Sequence, residues 1–152
     1  SPQKYVFLTE NYSKMNKQQS LDILNSYNKD TLMETLKIEF VDVGADFLTA
    51  KMPVNSKVHQ PYGILHGGAT AALAETVGSS ASAFFLNDKS KIIKGIELSI
   101  NHLKSKREGE VFATAKAIHQ GRTTHLWEVK IVDEEDNLIS LCKITNIVLD
   151  KR

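Results

Sequence analysis

Cysteine is almost absent from this chain, because Cys142 is the only one among 152 residues. A single cysteine cannot form an internal disulfide, so the sequence favours a reducing compartment and predicts a cytoplasmic protein. Cys142 lies in the strand-like run 141–144, without a histidine or aspartate spaced to activate a thiolate. Lone cysteines of this kind are usually just buried, so we do not expect a cysteine nucleophile.

An excess of charge of one sign is missing as well. Lysine and arginine number 19 against 18 acidic residues, which gives a formal net charge of +1. A nucleic-acid-binding domain needs a concentrated basic surface, so no nucleic-acid partner is expected. The small basic cluster at Lys104, Lys106 and Arg107 is typical of solvated surface, although it would also suit a compact anionic ligand.

We expect no secretion signal, because residues 1–17 contain no apolar core segment of that type. A composition of 41% hydrophobic and 24% charged residues is ordinary for a soluble globular protein, and the length suits one domain. We assign residues 18–152 to this domain and interpret residues 1–17 as an N-terminal arm or a remnant of expression.

Patterns for metal binding and for a serine nucleophile are absent. His59, His119 and His125 are scattered and lack the pairing of a zinc site. The run GSS at 78–80 lacks the Gly-x-Ser-x-Gly spacing and falls within a predicted helix. We therefore expect neither a metal nor a separate cofactor.

The most unusual stretch is 67–86, where fourteen of twenty residues are Gly, Ala, Ser or Thr and Glu75 is the only charged residue. A helix with so little charge must be surrounded by protein, and its small side chains allow close packing. A membrane span is disfavoured because Glu75 lies in the middle and His66 precedes the run. Glu75 is then either a functional carboxylate or a point where the helix reaches solvent.

The residues that lead into this helix suggest an oxyanion site. A helix N-terminus carries unpaired N–H groups and a partial positive charge, and Gly67 and Gly68 allow a substrate carbonyl to approach them. A Gly-Gly pair alone usually marks a turn. Here it follows Gln60 and His66 and precedes Glu75, and the combination indicates a site.

The remaining periodicity predicts an α+β fold. A short helix and a turn are expected within 18–33, a polar loop at 53–61, and strands at 36–43, 47–54, 92–103, 111–119, 125–132 and 138–149. One buried helix among antiparallel strands requires a curved sheet wrapped around it. The uncovered helix face and sheet edge predict an isologous dimer.

At this point the sequence resembles a known family. The runs QPYGILHGGA at 60–69 and LAETVGS at 73–79 are similar to the signature of hotdog-fold acyl-CoA thioesterases, in the branch that carries glutamate at position 75. That branch includes thioesterases for 1,4-dihydroxy-2-naphthoyl-CoA and for proofreading in enterobactin synthesis. The similarity spans about residues 20–149, with departures at Leu103 and Lys104, where the family often has His and Arg.

The resemblance implies hydrolysis of an acyl-CoA, preferably an aroyl-CoA such as 1,4-dihydroxy-2-naphthoyl-CoA, in menaquinone biosynthesis. The N–H of Gly67 would polarise the thioester oxygen, Gln60 and His66 would position it, and Glu75 would act as general base or nucleophile. Gly67 and Glu75 of one helix lie about 12 Å apart. The resemblance therefore implies a site shared by two subunits, in a dimer or a dimer of dimers.

Other roles follow from the same resemblance. Thr76, Ser79 and Gly68 would contact the acyl group, although Thr76 and Ser79 equally suit hydrogen bonds to carbonyls within the helix. Coenzyme A, as part of the substrate, would be bound by His102, Lys104, Arg107, Gly121 and Arg122. Two alternatives remain open: a hotdog hydratase or dehydratase, and a sensor that binds acyl-CoA without cleaving it.

Overall fold

The computed structural model describes residues 15–152, so the interpretation of residues 1–14 falls outside the described part. The helices are α1 (Lys17–Ser26), α2 (Leu32–Thr35), a 3-10 turn (Ser56–Val58) and α3 (Gly67–Leu86). The strands are β1 (Glu39–Val43), β2 (Phe47–Val54), β3 (Lys91–His102), β4 (Gly109–Gln120), β5 (Thr124–Val132) and β6 (Leu138–Asp150).

The six strands form one antiparallel sheet in the order β1-β2-β4-β5-β6-β3. Helix α3 lies on one face of this sheet and contacts every strand from β2 to β6. Register shifts in the β1–β2, β3–β6, β4–β5 and β5–β6 pairs bend the strands. The predicted α+β architecture, a curved antiparallel sheet around one long helix, is confirmed.

The core follows the predicted alternation along the strands. In β2, Leu48, Ala50, Met52 and Val54 are buried at every second position. Strand β5 buries its own alternate residues from Trp127 onward against α3. Because successive side chains of a strand point to opposite faces, one face of the sheet supplies the core.

The limits of the four long strands differ from the predicted ones by one or two residues at most, and two other boundaries differ for identifiable reasons. The strand predicted to begin at residue 36 begins at Glu39, because Leu36 is the C-cap of α2 and Lys37 adopts a positive φ of 54°. The loop predicted from Pro53 begins after Val54. Proline has no N–H to donate to a neighbouring strand. It is tolerated in β2 at this point because β1 pairs with β2 only as far as Lys51, so no strand lies beside Pro53 on that side.

Helix α3 spans the predicted residues. His66 caps its first turn, and Asn87 ends it in the left-handed conformation at φ 49°. Within the helix, Gly78 permits close packing, since a Cβ there would lie 2.4 Å from Ile144 Cγ2. No helix in the described range 15–152 is long and apolar enough to cross a membrane.

The two edges of the sheet differ in what covers them. At β1, the amide of Asn25 in α1 bonds both backbone groups of Phe40, donating to its carbonyl at 2.9 Å and accepting from its N–H at 2.7 Å. The edge at β3 is twelve residues long, and among residues 15–152 it pairs with β6 only; its Ile96 is 57% exposed. Helix α1 thus protects one edge, whereas β3 presents an open one.

Candidate active site

The N-terminus of α3 is built around the imidazole of His66. Its Nδ1 accepts the N–H of Gly68 at 2.8 Å, and its backbone carbonyl accepts those of Ala69 and Thr70. Within residues 15–152, the N–H of Gly67 has no acceptor. The first turn therefore offers one free donor, reinforced by the helix dipole, as an oxyanion site requires.

The loop before α3 is held by backbone hydrogen bonds. Gln60 donates its N–H to Ile64 at 2.9 Å and accepts that of Gly63 at 2.9 Å, and Gly63 turns the chain with a φ of 72°. The Gln60 side chain accepts the N–H of Tyr62. The N–H of His66 bonds the carbonyl of Val58 at 2.8 Å, which fixes the entry to the helix.

His102 lies against the same helix end. A Cβ on Gly67 would come within 2.6 Å of its Nε2, so the imidazole occupies the space that a side chain would need. Its Nδ1 is 2.8 Å from the Ser140 hydroxyl, which holds the ring over Gly67. Glycine at position 67 is therefore required by close packing as well as by access to the amide.

Glu75 lies two turns further along α3 and is exposed in the single chain. The helix therefore reaches solvent at this point, which was one of the two alternatives derived from the sequence. Its carboxylate lies over Gly95 of β3, where a Cβ would be 2.7 Å from Oε1. The carboxylate thus lies beside the open edge of the sheet. At about 1.5 Å of rise per residue it is roughly 12 Å along the helix from Gly67, too far for both to contact one carbonyl.

The hydroxyls predicted to contact the acyl group bond within the protein. Thr76 Oγ1 donates to the carbonyl of Ala72 at 2.7 Å, which is the hydrogen bond within the helix that was the alternative interpretation. Ser79 Oγ lies 3.4 Å from Oδ1 of Asn146. Gly68 is exposed at the helix end, beside the free amide of Gly67.

The residues predicted to bind coenzyme A form two groups in one chain. His102 is the last residue of β3, and Lys104 and Arg107 follow it. The Arg107 carbonyl accepts a hydrogen bond from His59 Nε2 at 2.7 Å. Gly121 and Arg122 form the β4–β5 turn. Thr124, at the end of this turn, pairs with Ile147 of β6, and Ile147 pairs in turn with Lys94 of β3, so the turn lies near the start of β3. Lys94 and His102 are eight residues apart on β3, about 27 Å. One chain therefore does not bring these groups together.

A buried polar cluster was missed by the sequence analysis. The hydroxyl of Ser82 in α3 lies 2.6 Å from Trp127 Nε1, 2.8 Å from Asn146 Nδ2 and 2.9 Å from His125 Nδ1. Trp and Asn nitrogens only donate, so both lone pairs of the hydroxyl are occupied and its proton goes to His125. Burial lowers the pKa of His125, which agrees with this neutral acceptor role. The available signal was His125, which lies two residues before Trp127 and therefore on the same buried face of β5.

Two other types of site receive no support from the described residues. Within 15–152, no three His, Cys, Asp or Glu side chains lie close enough to hold a metal ion. Cys142 is fully buried, and burial, followed by the negative charges of Glu75 and Glu97, raises the pKa of its thiol to about 11. A thiol with this pKa is a poor nucleophile near neutral pH.

A long helix wrapped by an antiparallel sheet, with a free glycine amide at its start and one carboxylate in its middle, is typical of hotdog-fold thioester hydrolases. The family model of the Thioesterase superfamily matches residues 62–140. The chain belongs to this superfamily, and the family identifies it as a thioester hydrolase.

Individual relatives extend the comparison. The 1,4-dihydroxy-2-naphthoyl-CoA hydrolase of Listeria monocytogenes is 43% identical over 121 residues, covering 80% of this chain and 98% of the relative. The proofreading thioesterase EntH of Cronobacter turicensis is 38% identical over 130 residues, covering 86% and 94%. The crystal structure of a thioesterase from Haemophilus influenzae matches with a TM-score of 0.83 at 37% identity, covering 86% of this chain and 90% of that one.

Proposed function

We propose that this protein hydrolyses the thioester bond of an acyl-CoA, with an aroyl group such as 1,4-dihydroxy-2-naphthoyl as the preferred acyl part. The observation that carries the proposal is the position of Glu75, the single charge of α3, beside the open edge of β3. The name of EntH supports thioester hydrolysis, and the name of the Listeria monocytogenes hydrolase supports the CoA thioester and the naphthoyl group, on which the proposed role in menaquinone biosynthesis rests.

The proposed active unit is a dimer in which two β3 edges pair antiparallel. This edge is open in the described chain, while α1 covers the other. Along β3, the Glu75 carboxylate lies at Gly95 and the Gly67 amide lies at His102. A twofold axis between these two positions brings the carboxylate of one subunit toward the Gly67 amide of the other. A further pairing of dimers into a tetramer is part of the proposal.

The same axis would unite the two groups of cations. Antiparallel pairing reverses β3, so the β4–β5 turn of one subunit with Arg122 approaches the end that carries Lys104 and Arg107 in the other. Three cations at one pocket mouth are suited to the phosphates of coenzyme A. His102, which lies against Gly67, would stand between the phosphates and the thioester.

In the proposed reaction, the free N–H of Gly67 donates to the thioester oxygen and stabilises the negative charge that develops there. Gln60 and His66 hold the loop and helix end around this oxygen. Glu75 of the other subunit either removes a proton from an attacking water or attacks the carbonyl to form an anhydride that water then cleaves. In both routes the C–S bond breaks, coenzyme A leaves as the thiol, and the acyl group leaves as the acid.

The direct experiment is thiol release from a panel of acyl-CoA substrates: 1,4-dihydroxy-2-naphthoyl-CoA, 4-hydroxybenzoyl-CoA, crotonyl-CoA and palmitoyl-CoA, ranked by kcat/KM. The matched variant Glu75→Gln keeps the size of the side chain but removes its basicity. We expect kcat to fall by at least about 100-fold in this variant, since general acid–base catalysis contributes that much. Near-normal turnover by Glu75→Gln would contradict the mechanism.

The alternatives have their own outcomes in the same panel. Hydration of crotonyl-CoA without thiol release would identify a hydratase. Recovery of intact acyl-CoA bound to the protein after long incubation would identify a sensor. A preference for palmitoyl-CoA would support thioesterase activity but contradict the proposed preference for aroyl groups.

Subunit complementation tests the shared site. Glu75→Ala and Gly67→Pro each remove one half of the proposed site, so each homodimer is expected to be inactive. In a mixed dimer, one of the two sites has both parts, and random mixing should restore about a quarter of the wild-type activity. No recovery in a sample shown by mass spectrometry to contain mixed dimers would contradict a site formed across the interface.

A further inference from the structure

Gly95 is a glycine that the backbone does not require. In the described residues, only Gly63 and Gly109 among the glycines have a positive φ, so the conformation at position 95 is open to any residue. Glycine weakens a strand interior because it loses more entropy and packs no side chain. The pairing with β6 shifts register between Gly95 and Glu97, and a bulge there accepts any residue whose φ is negative, so the glycine calls for a further cause, such as the close approach of another group.

The group that approaches is the Glu75 carboxylate. A Cβ on Gly95 would lie 2.7 Å from Glu75 Oε1, whereas its next neighbours, Asn146 Oδ1 and Ile144 Cδ1, would be 3.6 Å away, at ordinary contact distance. An added methyl group would therefore meet only the carboxylate. Because that group ends a flexible side chain, it would move while the fold stayed intact.

Nothing else in the described chain holds this carboxylate. Within residues 15–152, Glu75 has neither a hydrogen bond nor an ion pair. Beneath it, Asn146 is rigid, because its Nδ2 donates to the Gly78 carbonyl at 3.2 Å and to Ser82 Oγ at 2.8 Å. The strand surface at Gly95 thus limits where the carboxylate can lie on this side.

We propose that Gly95 is a positioning residue, whose missing side chain forms the seat in which the Glu75 carboxylate rests. The inference rests on the proposed hydrolase function and adds a residue from the sheet to a mechanism otherwise built on α3 and the loop before it. The seat keeps the carboxylate low over β3 and directs it along the open edge, toward the partner's helix end.

The size of the effect follows from the contact. To reach the 3.4 Å at which ordinary contact begins, Oε1 must move by the difference from 2.7 Å, about 0.7 Å. Misplacing a catalytic group by about 1 Å can cost on the order of 100-fold in rate. We expect Gly95→Ala to lower kcat by roughly 10- to 100-fold while KM changes less than about threefold, because binding contacts are left intact.

A double-mutant cycle with Glu75→Asp separates positioning from a general structural role. Aspartate is shorter by one methylene, so its carboxylate does not reach the position of the added methyl group. Gly95→Ala should therefore change kcat of the Glu75→Asp enzyme by less than about threefold, although it strongly affects the wild-type background. Lys130→Ala, at an exposed position of β5 that β6 separates from β3, is the control, and its kcat should match that of the wild type.

Thermal unfolding and size-exclusion chromatography accompany the kinetics. A kcat of Gly95→Ala within twofold of wild type, or an equal loss in both backgrounds, would overturn the inference. Loss of the fold in Gly95→Ala would do so as well, since the added methyl group should move only a carboxylate. Failure of the wild-type protein to hydrolyse any substrate of the panel would instead refute the proposed function, so the two failures are distinct.

Discussion

Replacing Gly67 with proline would remove one hydrogen-bond donor from the proposed site, the backbone N–H that faces the substrate. Gly67 is the first residue of α3, where proline is well tolerated because its N–H has no partner in the helix. The preceding residue, His66, has a ψ of 129°, the extended conformation that proline requires before it. Gly67→Pro should therefore retain the helix and lose the donor.

The comparison with Gly67→Ala isolates the amide. Both variants add a Cβ that would come within 2.6 Å of His102 Nε2, so both must displace this ring. Only the proline variant lacks the N–H. Losing one oxyanion donor costs about 100- to 1,000-fold in kcat, or about 2.7 to 4 kcal/mol of transition-state stabilisation. We expect kcat of Gly67→Pro to lie below that of Gly67→Ala by about this factor.

The assay is continuous detection of released thiol under saturating substrate, with the temperature of unfolding as a check on the helix. Single-turnover measurements would separate chemistry from product release. If Gly67→Pro turned over within twofold of Gly67→Ala, the free amide would have no role in the chemical step. The assignment of the α3 N-terminus as the oxyanion site would then be wrong.

Three further predictions concern buried groups. Ser82→Ala should reduce the free energy of unfolding in urea by at least about 2 kcal/mol, because it leaves buried donors such as Trp127 Nε1 unpaired, while Ser80→Ala should change it by less than about 0.5 kcal/mol. Because burial lowers the pKa of His125 from its usual 6.5, the unfolded chain takes up a proton first; the free energy of unfolding should fall as the pH drops below 6.5 toward the folded pKa, by up to about 1.4 kcal/mol per pH unit. His125→Asn should flatten this dependence, and an unchanged profile would contradict it. Native Cys142, with a pKa of about 11, should resist iodoacetamide at pH 8, and rapid alkylation with loss of activity would show that it is accessible.

Much of the fold was predictable because it depends on local patterns. Small residues without charge specify a packed helix, and the predicted limits of α3 at residues 67 and 86 are confirmed. Alternation of Trp127, Val129 and Ile131 with polar residues identifies the buried face of β5. The short α2 escaped prediction, since a single turn of helix carries too few residues to establish a period.

The candidate site was predictable in its residue types but not in its arrangement. Glu75 and the glycines before α3 are conspicuous in the sequence because charge and flexibility are unusual there. The resemblance gave the cation groups around Lys104 and Arg122 one shared role in binding coenzyme A, yet the sheet order places them at opposite ends of β3. Their union depends on a partner subunit and stays a prediction, as does the cytoplasmic location.

The sequence by itself determined the helix, the strands and the chemical groups, because each follows from the spacing of residues near one another in the chain. The tertiary structure decided which distant residues meet. It brought Gly95 under the Glu75 carboxylate and set the His102 ring on Gly67. It also enclosed the Ser82 hydroxyl among donors from two strands. Such contacts depend on strand order and register, which arise from the packing of the whole sheet and leave no periodic mark in the sequence.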